Sequence, residues 1–345
     1  MPNPRMSPAY RSGMVEKVHK AKFYVMLPHR NFAKTRALAE TADALGFHGV
    51  GLSDHFFVHR GDMQVPNDPL LECYTTLGAI AAVTKRVMMT QVVTASSFRN
   101  PALLAKMTST LDVISGGRFT LGVGAGWMRD EYHAHDYPYP TNRQRLDQLA
   151  EGLKLIKTMW TQETPTYHGP FFKIEKAFNH PRPVQKPHPP IMIGGSGRKL
   201  LEISAREADI ANLAPPLTRG RLEAAVMVKF DKPRLKEKIA ILHEFAQTAG
   251  RATDAIEISG FCSLNLARDK SATDAALAGT AKAMGYPSAD AARNSPSLLF
   301  GTPDEVRREL RSRIEEFGMT YFIMAGAPAA IDLFASDVMP EFVQR

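Results

Sequence analysis

The stretch IMIGGSGRKLLEISAREADIANL (residues 191–213) decides the fold class, because it joins two apolar runs through glycines and a helical segment. The run IMI is typical of a buried strand, and DIANL at 209–213 predicts a second strand. Between them, RKLLEISAREA has its apolar residues at helical spacing. Consecutive strand, helix and strand segments predict a parallel sheet.

The turn between this strand and helix consists of Gly194, Gly195, Ser196 and Gly197. A glycine-rich turn at a helix N-terminus suits a phosphate, because its N–H groups converge and the helix dipole favours an anion. Ser196 and the nearby Arg198 offer further contacts to such an anion. A tight turn without any ligand explains the same residues, and the local sequence alone leaves both explanations open.

Strand-like and helix-like segments alternate along the rest of the chain. The predicted strands are 22–27, 49–56, 87–97, 118–126, 191–195, 209–213, 256–267 and 320–326, each followed by helical sequence. We therefore predict an α/β fold, a (β/α)8 TIM barrel with small insertions, one of them a hairpin around 167–170. Residues 1–21 are interpreted as an N-terminal extension and 22–345 as a single domain. A doubly wound open sheet is the alternative, but the glycine motifs follow several strands rather than the first.

Composition and charge exclude several classes of function. The 345 residues are 44% hydrophobic and 23% charged, with neither an apolar run long enough for a membrane span nor a secretory signal. We expect a cytoplasmic enzyme with a small-molecule substrate and no membrane partner. The formal charge of +8 comes from basic residues mixed with acids, which favours a small polyanionic ligand over nucleic acid. Cys73 and Cys262 have no metal-ligand spacing, so we expect no metal.

The mouth of the predicted barrel selects the candidate site, because active sites of TIM barrels lie at the C-terminal ends of the strands. The residues at these ends are Asp54 and His55 at strand two, Thr94 at strand three, Gly124, Ala125, Gly126 and Trp127 at strand four, and Gly194, Gly195, Ser196 and Gly197 at strand five. Asp54 beside His55 suits proton transfer, since a carboxylate can fix the tautomer of an imidazole; a structural histidine is the alternative. Glycine lets a flat ring approach the backbone. Without metalloprotease or serine-hydrolase motifs, a bound organic cofactor is favoured.

Several ordered motifs resemble the luciferase-like monooxygenase superfamily. They are ECYTTLGAIAAVTKRVMMTQVVTASSFRNPALLAKMTSTLDVISGGRFTLGVGAGWMRDEY (72–132), PRPVQKPHPPIMIGGSG (181–197) and GTPDEV (301–306). The sequence is most similar to the branch of deazaflavin-dependent oxidoreductases that use coenzyme F420, although FMN-dependent relatives share most of these motifs. The resemblance implies hydride transfer between C5 of the deazaflavin and a small organic substrate. An FMN-dependent monooxygenase and a non-catalytic flavin-binding relative are the alternatives, and a homodimer is expected.

The resemblance also implies roles for individual residues. Asp54 and His55 are expected beside the ring, with His55 as the proton-transfer residue. A cis peptide bond at Gln91–Val92 is expected to support the ring, with Thr94 as a polar contact. The loops at 124–126 and 194–197 are expected to bind the polar tail and phosphate. Trp127 lines the pocket where related sugar-phosphate dehydrogenases carry a glutamate, which argues against a sugar-phosphate substrate.

Overall fold

The computed structural model describes residues 21–60, 63–65, 68–216 and 224–343, and in it eight parallel strands close into a barrel. The barrel strands are β1 (Lys22–Met26), β2 (Gly49–Leu52), β3 (Met88–Gln91), β4 (Phe119–Gly124), β5 (Ile191–Gly194), β6 (Ile210–Asn212), β7 (Glu257–Leu266) and β8 (Met319–Gly326). Each strand pairs with the next in this order, and β8 pairs with β1. The predicted (β/α)8 barrel is confirmed. All but one residue of the predicted extension 1–21 lies outside the described residues.

Helices follow the strands and cover the outside of the barrel. They are α1 (Phe32–Leu45), α2 (Cys73–Val83), α3 (Pro101–Ser115), α4 (Arg129–Ala134), α5 (Asn142–Thr161), α6 (Arg198–Glu207), α7 (Ala224–Val228), α8 (Lys232–Thr248), α9 (Lys270–Met284), α10 (Ala289–Arg293), α11 (Pro303–Phe317) and α12 (Pro328–Asp337). A capping box of Thr302 and Glu305 starts α11. In the described ranges, no helix has the length and apolar character needed to cross a membrane.

Apolar side chains form two layers, as the alternation of side chains along a strand requires. The larger layer lies between strands and helices and includes Phe23, Leu121 and Trp160. A smaller cluster fills the interior of the barrel, where the rings of Tyr24 and Tyr321 stack with centroids 4.3 Å apart. The interior of the barrel below the mouth is therefore filled by side chains.

The structure departs from the predicted elements in several places. The single strand predicted at 87–97 is divided into β3 and Thr94–Ala95, followed by a 3-10 turn at Ser96–Phe98. Further short strands were not predicted: Val58–Arg60 pairs with Met63–Val65, and Leu298–Gly301 pairs with the second half of β7. The hairpin predicted around 167–170 is present, with Tyr167–His168 paired to Lys173–Ile174.

Candidate active site

His55 lies at the mouth of the barrel, just after β2, and its carboxylate partner comes from a distant helix. His55 Nδ1 lies 2.9 Å from Glu131 Oε2, and the backbone N–H of Phe56 donates to Glu131 Oε1 at 2.7 Å. Glu131 is fully buried in α4, whereas the His55 side chain is 27% exposed. An ionised carboxylate can only accept, so the proton of a neutral His55 sits on Nδ1 and Nε2 carries the free lone pair. His55 is thus oriented for proton transfer at Nε2.

Asp54 does not orient His55, which corrects the expectation that these neighbours interact. Its carboxylate accepts two hydrogen bonds from the Arg99 guanidinium, at 2.6 and 3.0 Å. Arg99 also donates to Glu72 at 2.7 Å and lies over the ring of Tyr74 at 4.4 Å. Burial alone would lower the pKa of Arg99, but its hydrogen bonds and charge pairing with Asp54 outweigh burial and raise that pKa. Asp54 therefore connects the β2 loop to the segment after β3.

Thr94 belongs to the same buried network. Its hydroxyl lies 2.9 Å from the Tyr74 hydroxyl, and Thr94 is fully buried. The pKa of Tyr74 is raised, chiefly by burial, so this phenol stays protonated. The predicted polar contact of Thr94 with a cofactor ring stays a prediction, and in the structure its hydroxyl contacts Tyr74.

A non-proline cis peptide bond interrupts the strand after β3, but it joins Val92 to Val93 rather than Gln91 to Val92 as predicted. Gln91 is fully buried and fills the gap left in the ladder, where its Oε1 accepts the Gly122 N–H at 3.2 Å. Val92 and Val93 are half-buried and border the interior cluster of the barrel. Gln91 thus supports this bulge from behind, and the two valines form its accessible surface.

Glycines at the ends of β4 and β5 leave room for the Val93 side chain of the bulge. A Cβ atom added to Gly194 would lie 2.8 Å from a methyl group of Val93, and one added to Gly124 would lie 3.0 Å from the same side chain. Both distances are shorter than a comfortable carbon–carbon contact. Ala125, Gly126 and the Trp127 side chain continue this surface, and the Trp127 ring meets the His55 ring edge-on at 5.7 Å. The bulge, the β4 loop and His55 therefore border one mouth.

The loop after β5 presents backbone to the same end of the barrel. Gly195 has a φ of +130°, and a Cβ atom added to Gly197 would meet nothing within 4 Å. Helix α6 begins here without a side-chain cap, so its first N–H groups remain available to a ligand. Ser196 is buried and donates to the Ala214 carbonyl at 2.5 Å. The Arg198 guanidinium lies over the ring of Phe245, and its contact with an anion at this loop stays a prediction.

Sequence reasoning missed Glu131, and Arg99 was not assigned a role. Glu131 has one signal in the sequence: it lies in the first turn of a short helix just after the β4 glycines. Arg99 follows small polar residues in TASSFRNP and has no such signal. Both residues contact partners that are distant in sequence. Glu131 lies 76 positions from His55, and Arg99 lies 45 positions from Asp54.

Comparison with known proteins gives consistent matches. A family model described as luciferase-like monooxygenase matches residues 18–321. An F420-dependent glucose-6-phosphate dehydrogenase of Microbacterium testaceum is 34% identical over 49% of this chain and 48% of its own length. An FMNH(2)-dependent dimethylsulfone monooxygenase of Pseudomonas putida is 30% identical over 50% of this chain and 46% of its own.

Among solved structures, an F420-dependent secondary alcohol dehydrogenase in complex with an F420-acetone adduct superposes with a TM-score of 0.74 and 20% identity. The superposed region covers 94% of this chain and 100% of the dehydrogenase chain. This likeness shows that the two proteins share a fold. The matched stretch spans between 46% and 64% of the lengths of the curated relatives.

Proposed function

Because the chain belongs to the luciferase-like monooxygenase family, we propose that it is an oxidoreductase that transfers a hydride between coenzyme F420 and a small organic substrate. The observation that carries the proposal is the mouth itself, where an oriented histidine faces a bulge and two glycine-bearing loops. When bound, the deazaflavin supplies C5 as the hydride donor or acceptor. The chain supplies the surface that holds the ring and the group that moves a proton.

The residues of the mouth fit such a cofactor. Val92 and Val93 offer an apolar platform for one face of a flat ring, and Trp127 borders the same space. The uncapped N-terminus of α6, with open space at Gly197, suits a phosphate. The positive charge of the chain favours an anionic tail. His55 Nε2 is the atom that would give or take the substrate proton.

The cofactor is tested by titration of the purified protein with F420 and with FMN, followed by absorbance and fluorescence. We expect saturable F420 binding and at least about tenfold weaker FMN binding, a difference of about 1.4 kcal/mol. FMN is the second candidate, supported by the sequence similarity to an FMNH(2)-dependent monooxygenase. Preferential FMN binding with oxygen consumption would replace the proposal by that alternative. Cofactor binding without reoxidation by any substrate or by oxygen would indicate a non-catalytic relative.

Replacement of His55 by alanine tests the proton-transfer role. We expect His55→Ala to keep cofactor affinity and to lose about 10²–10⁴ in turnover, the usual contribution of general acid–base catalysis. The measurement is single-turnover reduction or oxidation of bound cofactor. His168→Ala is the matched control, because His168 lies exposed on the 167–174 hairpin. Turnover of His55→Ala at the wild-type rate would remove His55 from the mechanism.

We further propose that the outer face of α2 and α3 forms a homodimer interface. Leu103 and Ile114 are 54% and 51% exposed on α3, and α2 contains no charged residue. The two charged residues of α3 are engaged: Asp112 is buried, and Lys106 donates to the His180 carbonyl. Two copies that each carry a charge of +8 repel each other less at a face with few charged side chains.

The interface is tested by the mass of the protein in solution. We expect a dimer for the wild type and a monomer for Leu103→Lys with Ile114→Lys, measured by light scattering at equal concentration. Phe178→Lys is the control, since Phe178 is an exposed apolar residue outside both helices. A monomeric wild type, or a double variant that stays dimeric, contradicts the proposed interface.

A further inference from the structure

A second histidine lies near the mouth, in the loop after β1, and contacts a residue of the β2 loop. His29 Nε2 lies 3.0 Å from Ser53 Oγ, and His29 Nδ1 lies 3.3 Å from the Leu27 carbonyl oxygen. The Leu71 N–H donates to the His29 carbonyl at 2.7 Å, which ties this loop to the start of α2. His29 and Ser53 therefore form a connected pair between the ends of β1 and β2.

The partners of His29 determine which of its nitrogens carries the proton. A carbonyl oxygen can only accept, so the hydrogen bond to Leu27 requires a proton on Nδ1. Burial lowers the pKa of His29 most, the hydrogen bond to the Leu27 carbonyl raises it, and electrostatic interactions with His55 and Arg30 lower it further. His29 is therefore neutral at pH 7, with a lone pair on Nε2.

The protonation of His29 in turn fixes the direction of the Ser53 hydroxyl. Since Nε2 can only accept, the hydroxyl proton of Ser53 points to His29, and the remaining lone pairs of Ser53 Oγ are left to accept. Ser53 and His55 are half-buried, whereas Asp54 between them is buried against Arg99. This alternation places the Ser53 and His55 side chains on the accessible side of the loop.

We propose that Ser53, held as a hydrogen-bond acceptor by His29, is a specificity-determining residue that selects a hydroxyl-bearing substrate over the matching carbonyl compound. A hydroxyl donates to Ser53 Oγ, whereas a carbonyl oxygen brings a lone pair against a lone pair. His29 acts through Ser53 and is a positioning residue. The inference rests on the proposed function, since it takes the mouth as the substrate pocket, and it concerns binding alone.

The size of the selection follows from the energy of one hydrogen bond. A net contribution of about 0.5–1.5 kcal/mol corresponds to roughly 2–13-fold in affinity. We therefore expect cyclohexanol to bind about 3–10-fold more tightly than cyclohexanone, which has the same carbon skeleton and differs at the oxygen. Ser53→Ala and His29→Phe should bring the ratio close to one, the first by removing the acceptor and the second by freeing the hydroxyl to rotate.

The test is an NMR titration of protein with ¹⁵N-labelled histidines, without cofactor and then with F420, using both probes. The same spectra report the His29 tautomer, which we expect as Nδ1–H in the wild type, and the His29 signals are identified by their loss in His29→Phe. His168→Phe, on the exposed hairpin, is the control and should keep the wild-type ratio.

Three results would overturn the inference: equal affinity for both probes in the wild type, an unchanged ratio in Ser53→Ala, or no saturable shift up to the solubility limit of cyclohexanol. Failure of the proposed function gives a different result. In that case F420 leaves the spectra unchanged, while the alcohol-to-ketone ratio of the cofactor-free protein still reports on Ser53.

Discussion

Arg99→Met is expected to destabilise the protein by about 3–5 kcal/mol, the usual cost of removing one partner from a buried ion pair. The Asp54 carboxylate is buried and accepts two hydrogen bonds from the Arg99 guanidinium. Among the described residues, loss of the guanidinium leaves this carboxylate without a counter-charge. The contact of Arg99 with Glu72 contributes less, because Glu72 is 43% exposed and water screens it.

The free energy of unfolding, measured by urea titration, checks this expectation. Adding Asp54→Asn to Arg99→Met should restore at least half of the loss, because the uncompensated charge is then gone. Arg143→Met is the control: Arg143 is 91% exposed, and its nitrogen lies 3.8 Å from Asp147, so a change within about 0.5 kcal/mol is expected. A single variant as stable as the wild type contradicts the structural role of the pair.

Glu131→Gln is expected to lower turnover by about 10²–10⁴, because it reverses the tautomer of His55. The glutamine carbonyl can keep the hydrogen bond from the Phe56 N–H, which places its NH₂ group opposite His55 Nδ1. Two donors cannot pair, so the His55 proton moves to Nε2 and Nδ1 becomes the acceptor. His55 then lacks a lone pair at the mouth, although the fold is kept.

The ¹⁵N shifts of His55 test this directly and do not depend on a substrate. Wild-type protein should show the Nδ1–H form of neutral His55, and Glu131→Gln the Nε2–H form, together with the loss of turnover. Asp130→Asn changes the charge of the neighbouring residue in α4 and should alter neither. A Glu131→Gln variant with wild-type turnover would show that Glu131 does not govern the function of His55.

The barrel was predictable because each of its strands is a short apolar run between helices with clear periodicity. Local patterns of this kind decide element type wherever the tertiary environment agrees with them. The bulge after β3 was placed one residue early, since Gln91, Val92 and Val93 are all compatible with an extended strand and nothing in their side chains marks the cis bond. Likewise, Leu298–Gly301 is too short to be recognised without its partner β7.

The candidate site was predictable as a location but not as a network. The rule for strand ends selected Asp54 and His55 together, yet neighbours in an extended chain point in opposite directions, so each has a different partner. Glu131 and Arg99 reach these residues only through the closure of the barrel. The His29–Ser53 contact likewise depends on the pairing of β1 with β2, which no local pattern specifies.

In the proposed function, a deazaflavin ring sits at the mouth, against the bulge and beside His55. The most direct test of this placement is methyl NMR of valine-labelled protein titrated with F420. We predict large, saturable shifts for the methyl groups of Val92 and Val93 and none for Val306, which is buried in α11 on the outer layer. Saturable F420 binding that leaves Val92 and Val93 unshifted, or no binding at all, would contradict the account.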